Sequence, residues 1–320
     1  MSTALPAGYT WRRPAFDDAE AIYGFVAQRN IAIIGYPDLT LDDVRDELEE
    51  PGFDPAADGW LVHDNGGALI GYGWVYRNGD SDLVNADAMG EDATVADWLW
   101  AEVMARAAAI GAALGHREVK LDVGIYRADE AQRARVSALG FTPATTFQRL
   151  RIDFDAEPAE PMVPDGVVVR TGPGDEAFHR EAHSVSTRAF VEHFGFVAKS
   201  FEEWHKGVEA SSSHDWAQLS VAYVDGEPVA MLRGSDQFVQ DEGCGYIPTV
   251  AVLPAARGRG LAKFLLRRAF ADDFRRGRKG TILHVDTNNV TPALGLYLGV
   301  GMRPVLVIDV WRRTMRVAPR

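Results

Sequence analysis

Apolar residues along this chain come in short runs broken by polar turns, and the pattern comes twice. Trp60–His63 and Ala68–Tyr76 flank Asp64-Asn65-Gly66, while Leu219–Val224 and Pro228–Arg233 flank Asp225-Gly226. Each pair reads as a β-hairpin, with Asn65-Gly66 and Asp225-Gly226 supplying the positive φ that a tight turn requires. The turns lie 161 residues apart, and Leu139-Gly140-Phe141 precedes Val300-Gly301-Met302 by the same interval. Thr40 before Leu41-Asp42-Asp43-Val44, and Ser200 before Phe201-Glu202-Glu203-Trp204, each open a helix with a hydroxyl cap and an acidic first turn. Each copy therefore predicts strand, helix, helix, hairpin strands, strand, helix, strand, helix and closing strand, an α/β arrangement with a mixed sheet.

A length of 320 residues suits two domains, each large enough for its own core. The Pro- and Glu-rich stretch Asp155–Pro164 marks the join, giving a first copy over 1–155, a linker over 156–164 and a second copy over 165–320. With 47% hydrophobic and 25% charged residues the composition is that of a soluble globular protein. One cysteine, Cys244, excludes an intrachain disulfide and fits a reducing compartment. The opening residues lack a basic and apolar leader, and no run approaches the roughly 18 apolar residues of a membrane span, so a cytoplasmic protein is expected. The expected assembly is a monomer or homodimer. A net charge of −13 argues against nucleic acid and gives no reason to expect a membrane partner. Locally the balance inverts, because Arg257, Arg259, Lys263, Arg267, Arg268, Arg275, Arg276, Arg278 and Lys279 crowd one turn and helix. Such a cluster in an acidic chain suits a small polyanion, with Arg257, Arg259 and Lys263 nearest the helix start and the residues from Arg275 onward expected on a solvated face.

That turn is the most informative segment. Val250 and Val252 alternate as a strand, Pro254 ends it, Arg257 to Gly260 form a Gly-rich turn, and an amphipathic helix follows over about 260–276. A strand that breaks into such a turn presents unpaired amides at the positive end of a helix, where a phosphate binds. The spacing resembles the acyl-CoA signature of the GNAT N-acetyltransferase superfamily, Arg/Gln-x-x-Gly-x-Gly/Ala, carried here by Arg257, Gly260 and Ala262. The apolar strand Ile282–Val285, then Asn288 and Asn289, then the segment from Pro292 to Met302 follow in the order of that fold. The resemblance is sharp over about Gly245–Arg313 and covers the whole chain only in architecture. It implies two tandem GNAT-like acyl-CoA N-acyltransferase domains, each a mixed twisted sheet flanked by helices.

The resemblance also implies roles. Acetyl-CoA would lie along Val250, Ala251 and Val252, with its pyrophosphate on Arg257, Gly258, Arg259, Gly260, Leu261 and Ala262 and with Asn289 in contact. Tyr297 would act as general acid, and no metal is called for. The fourth strand of the copy, about Tyr246–Val252, would splay from the fifth, and Pro248 fits such a gap in the ladder. The thioester would lie near Thr249 and Val250. The acceptor is expected to be the amine of a small molecule, which must lose a proton before it attacks. Many relatives, mycothiol synthases included, carry Glu on this strand where Tyr246, Pro248 and Thr249 stand here. Tyr246 and Glu242 are therefore the catalytic candidates beside Tyr297, and Asp241 and His193 are further candidates for the base. Mycothiol synthesis and a non-catalytic CoA sensor remain alternatives.

The first copy supplies a control. An offset of 161 sets Ala96, Asp97 and Leu99 against Arg257, Gly258 and Gly260, Ala128 against Asn289 and Val136 against Tyr297. With Glu91, Asp92 and Asp97 present, that copy is not expected to bind CoA at the phosphate loop; it is expected to help build the acceptor pocket. His179 and His183 share a helix face but lack the zincin order. Cys244 reads as a bystander thiol, and Trp74, Trp98 and Trp100 read as core.

Overall fold

The computed structural model describes residues 4–288 and 293–317. The first copy runs β1 (Thr10–Arg12), α1 (Ala19–Ile34), α2 (Leu41–Glu49), α3 (Pro55–Asp58), β2 (Gly59–His63), β3 (Leu69–Arg77), β4 (Leu83–Gly90), α4 (Ala93–Ala113), β5 (Glu118–Tyr126), α5 (Glu130–Ala138) and β6 (Thr142–Asp153). The second runs β7 (Val167–Thr171), α6 (Glu176–Phe190), α7 (Phe201–Ala210), β8 (His214–Val224), β9 (Glu227–Ser235), α8 (Val239–Glu242), β10 (Cys244–Val252), α9 (Leu261–Arg275), β11 (Gly280–Asp286), α10 (Ala293–Gly299) and β12 (Arg303–Arg316). Both copies follow the order the apolar pattern predicts, each with one further short helix, α3 in the first and α8 in the second.

Compactness divides the chain differently from the repeat. Unit 1 combines residues 1–145 with 308–320, and unit 2 is residues 146–307. Unit 1 holds β1 to β5 and closes on β12, which runs antiparallel to β5 from Ile308↔Tyr126 to Arg316↔Glu118. The Arg312 guanidinium grips Asp122 through Nε and a terminal nitrogen at 2.6 and 2.7 Å across that pair. Unit 2 orders β7, β8, β9, β10 and β11 and closes on β6, paired with β11 from Asp153↔Gly280 to Phe147↔Asp286. The 156–164 stretch, expected to join the two copies, lies inside unit 2.

In unit 1, α4 is apolar on most of its surface and lays Leu99, Trp100 and Val103 on the sheet beside Trp60, Val84 and Leu121. Trp98 and Trp100 are core, as the composition suggests, whereas Trp74 is half-buried. In unit 2, α9 turns Leu261, Phe264, Leu265 and Phe270 onto Leu232, Ile247 and Leu283. A polar pin sets its height. Buried Asp273 accepts from Arg278 at 2.6 Å and from the Thr281 hydroxyl, and it lies where a side chain at position 245 would stand, so only Gly245 fits. Arg278 also pairs with Asp236, Arg276 with Asp215, and Arg275 with Asp272 and Glu160. Arg275, Arg276 and Lys279 are exposed, as expected of a solvated face, whereas Arg278 is buried and ties down the end of α9. No helix among the described residues is long and apolar enough to cross a membrane.

The hydroxyl caps behave alike in both copies, since Thr40 with Asp43 and Ser200 with Glu203 form reciprocal capping boxes. The hairpins differ. Asp225 and Gly226 have φ of 52° and 80°, the primed turn expected. In the first copy the positive φ falls on Gly67 at 82°, outside Asn65-Gly66, because Asp64 accepts from the amides of Gly66 and Ala68 and the ladder shifts register at Val62/His63. This is the three-residue hairpin with a glycine bulge.

Candidate active site

Unit 2 holds a cleft of about 690 Å³ between β10 and β11. The two strands are parallel and pair from Cys244↔Gly280 to Ile247↔Leu283, although β11 continues to Asp286. Pro248 sits where they part, and the β9 side shifts register between Tyr246 and Thr249 at the same place. A residue with no amide hydrogen breaks the ladder at little cost where the ladder already opens. Beyond it, Leu253 donates to Val229 on β9 at 2.9 Å. Alternation along the strand then turns the amides of Val250 and Val252 toward the open side, where they could pair with an extended ligand as an added strand would.

At the mouth of this wedge, the short turn Pro254–Ala256 leads through Arg257 to α9. Gly258 and Gly260 have φ of 78° and 77°, and no protein atom lies within 4 Å of where their side chains would stand. Gly260 caps the helix with no side-chain hydrogen bond. Phe264 donates to its carbonyl at 2.9 Å, so the amides of Leu261, Ala262 and Lys263 begin the helix without intrahelical acceptors. Arg257, Gly258, Gly260, Leu261, Ala262 and Lys263 all line the cleft, and Arg259 is exposed beside them. The loop is concave, positive and open, which fits a diphosphate. Asn289 lies outside the described residues.

Tyr297, on α10, lines the cleft at 8% exposure. Its hydroxyl has no hydrogen-bond partner among the described residues, and burial pushes its pKa up to about 12. The candidates for the base fare unequally. Glu242 on α8 gives its two carboxylate oxygens to Arg149 at 3.4 Å and Arg151 at 2.6 Å and does not line the cleft; Asp241 beside it does not either. His193 does line it, and burial, then the nearby Arg257, hold its imidazole below the usual range, against the pull of Asp286. Tyr246 also faces the cleft, but with its hydroxyl 3.0 Å from Nδ1 of His284. The Arg149 Nε can only donate, and it does so to Nε2 of His284 at 3.1 Å. Burial, then Arg149, push His284 down to about 3, so the neutral ring keeps its proton on Nδ1 and donates it to Tyr246. The Tyr246 proton is then directed elsewhere, which makes this side chain a donor and a poor base.

His284 and Asp286 escaped the reading of the sequence. Their signal was two polar residues at alternate positions of the otherwise apolar β11, the side of the strand that faces an open wedge. Other tempting groups are occupied. Cys244 is buried, and burial pushes its thiol up to about 11. His179 meets His205 at 3.0 Å and stacks on Trp216, and His183 meets the Lys199 carbonyl at 3.0 Å.

In unit 1 the corresponding connection is short. Only Glu91 and Asp92 join β4 to α4, and Asp92 caps the helix by accepting from Val95 at 2.9 Å. Asp92, and neither Ala96 nor Leu99, is thus the counterpart of Gly260, because the uniform offset ignores the longer loop of the second copy. Past that loop the offset holds again. Phe141 donates to Val136 at 3.0 Å and Met302 to Tyr297 at 3.1 Å in matching turns.

Residues 179–302 match the acetyltransferase (GNAT) family. Over 315 residues, 92% of this chain and 97% of the relative, the chain is 28% identical to the mycothiol acetyltransferase of Beutenbergia cavernae. Its fold is similar to that of a GCN5-related N-acetyltransferase from Sphaerobacter thermophilus (TM-score 0.83, 24% identity, 99% of both chains). It is similar also to a tandem GNAT protein from the clavulanic acid biosynthesis pathway (TM-score 0.72, 16% identity, 98% of this chain and 99% of the other).

Proposed function

We propose that this chain, an acyl-CoA-dependent acetyltransferase of the tandem GNAT kind, moves an acetyl group from acetyl-CoA to the amine of a small molecule in the cleft of unit 2. The observation that carries this reading is the uncapped, glycine-lined start of α9 at the mouth of the wedge that Tyr297 lines. Amides of Arg259 to Ala262, with Arg257 and Lys263, hold the diphosphate. The open edge of Val250 to Val252 takes the pantetheine amides. When bound, the cosubstrate supplies an activated thioester.

The remaining chemistry falls to side chains. A free alkyl amine, with a pKa near 10, is mostly charged at neutral pH and cannot attack until a proton leaves. His193 takes that proton, since its ring is held neutral at pH 7. The Val250 amide faces the open side and stabilises the developing oxyanion. Tyr297 faces a thiol whose ordinary pKa is about 8.5, so full transfer from a phenol near 12 is uphill by roughly 5 kcal/mol before charge develops. Its contribution is a hydrogen bond that strengthens as the sulfur becomes anionic, with the proton following late. Unit 1, with Asp92 where Gly260 stands, does not grip the cosubstrate.

A second reading follows from the Beutenbergia relative, whose name makes a mycothiol-pathway amine a specific acceptor to try. The strand that carries Glu in such relatives carries Tyr246 and Thr249 here, which favours a different acceptor. Free-thiol release from acetyl-CoA across a panel of small amines tests the proposal. Turnover with at least one amine is expected; release with none, while the cosubstrate still binds, defeats it.

A further inference from the structure

We infer that the wedge of unit 1 is a binding site for a small organic cation, an ammonium on a short aliphatic body. β4 pairs with β5 only from Leu83↔Lys120 to Asn85↔Asp122, and the strands then part as β10 and β11 do. The opening leads into a recess of about 200 Å³ between these strands, α1 and α2. Its walls are in part apolar and aromatic, among them Val26, Met89 and Trp74, and its polar lining includes Arg29, Asp38 and Asp129 beside three further groups, Tyr72, Glu47 and Asp87.

Those three groups ask for a donor with positive charge. Tyr72 is 2% exposed and lines the recess, and its hydroxyl has no hydrogen-bond partner among the described residues. Glu47 likewise has neither ion pair nor hydrogen bond among them. Asp87 uses Oδ1 to accept from the Ala88 amide at 2.7 Å and from Gln132 at 3.3 Å, which leaves Oδ2. The cation at hand, Arg29, is held by Asp129 at 2.9 Å. Burial lifts Asp87 to about 6 against the pull of Arg29, and the exposed Glu47 carries a like charge near it, so the recess holds like charges that a bound ammonium would relieve. The indole and phenol faces favour an organic cation in addition. No group of His, Cys, Asp and Glu that could hold a metal ion occurs among the described residues, and the aliphatic walls offer a metal nothing. The first copy has thus kept the wedge and reversed its preference, from an anion to a cation.

Calorimetric titration of the full chain with butylammonium, benzylammonium and 1,4-diaminobutane, with butanol as the neutral control, tests this. The expected result is saturable binding of at least one amine and none of butanol. Glu47→Gln is expected to weaken that binding at least tenfold and Tyr72→Phe several-fold, with thermal midpoints no lower than about 3 °C below wild type. Asp87→Asn replaces either variant should it fail to fold, with the same tenfold loss expected. Absence of saturable heat with all three amines, butanol binding as well as the amines, or amine binding unchanged in Glu47→Gln, which would put it elsewhere in the chain, each overturns the inference.

Discussion

The two wedges share a backbone and differ at the start of one helix. In both, a parallel strand pair opens after three or four residues, a long helix follows, and a turn closed by the same amide bond ends the next helix, on Val136 in one and Tyr297 in the other. In unit 1 the long helix is capped by its own Asp92; in unit 2 the cap is Gly260, with no side chain to spend on the amides. A side-chain cap is ordinarily worth about 1 kcal/mol. Unit 2 forgoes it and keeps its amides available to an anion from outside. A binding site can therefore consist of a stabilising interaction left unmade, which is one way in which the same fold carries different functions.

The sharpest way to test the comparison is to remove what only unit 2 has. Tyr297→Phe, which takes the hydroxyl away as Val136 does, is expected to lower kcat about 10²-fold, with acetyl-CoA affinity unchanged in calorimetry. His193→Gln should cost a similar factor at neutral pH. In the wild-type enzyme kcat should fall as the pH drops through a value below 6.5, where the ring gains its proton, and His193→Gln should abolish that limb of the profile. Gly260→Asp writes the first copy's cap into the second; Asp tolerates the positive φ better than most residues, and its charge should weaken acetyl-CoA binding roughly 30-fold by about 2 kcal/mol of repulsion at the helix start. The reciprocal change, Asp92→Ala, should lower the stability of unit 1 by about 1 kcal/mol in thermal unfolding and leave turnover alone.

Much of this was legible from local chemistry. The caps Thr40 and Ser200, the Asp225-Gly226 turn and the Gly-rich turn from Arg257 to Ala262 depend on residues a few positions apart, and their spacing carries their geometry. Pro248 announced the gap in the ladder for the same reason. What escaped is long-range. Nothing near Glu242 in sequence reveals Arg149 and Arg151, which reach it from β6 and take its carboxylate. His284 was hidden because a polar residue in a strand is informative only once its face is known. The uniform offset failed at Asp92 because copies of a fold drift by loop length, and only the helix start fixes the alignment.

The closing strands bear on how the chain is made. Unit 1 is built mostly from residues before 146, yet β5 pairs with residues 308–316, which are translated only after all of unit 2. Its edge strand must wait through the synthesis of all of unit 2, exposed to whatever else might pair with it. A break placed within 156–164 would part β6 from unit 2 and β12 from unit 1, so each fragment should be insoluble alone and recoverable only when both are expressed together.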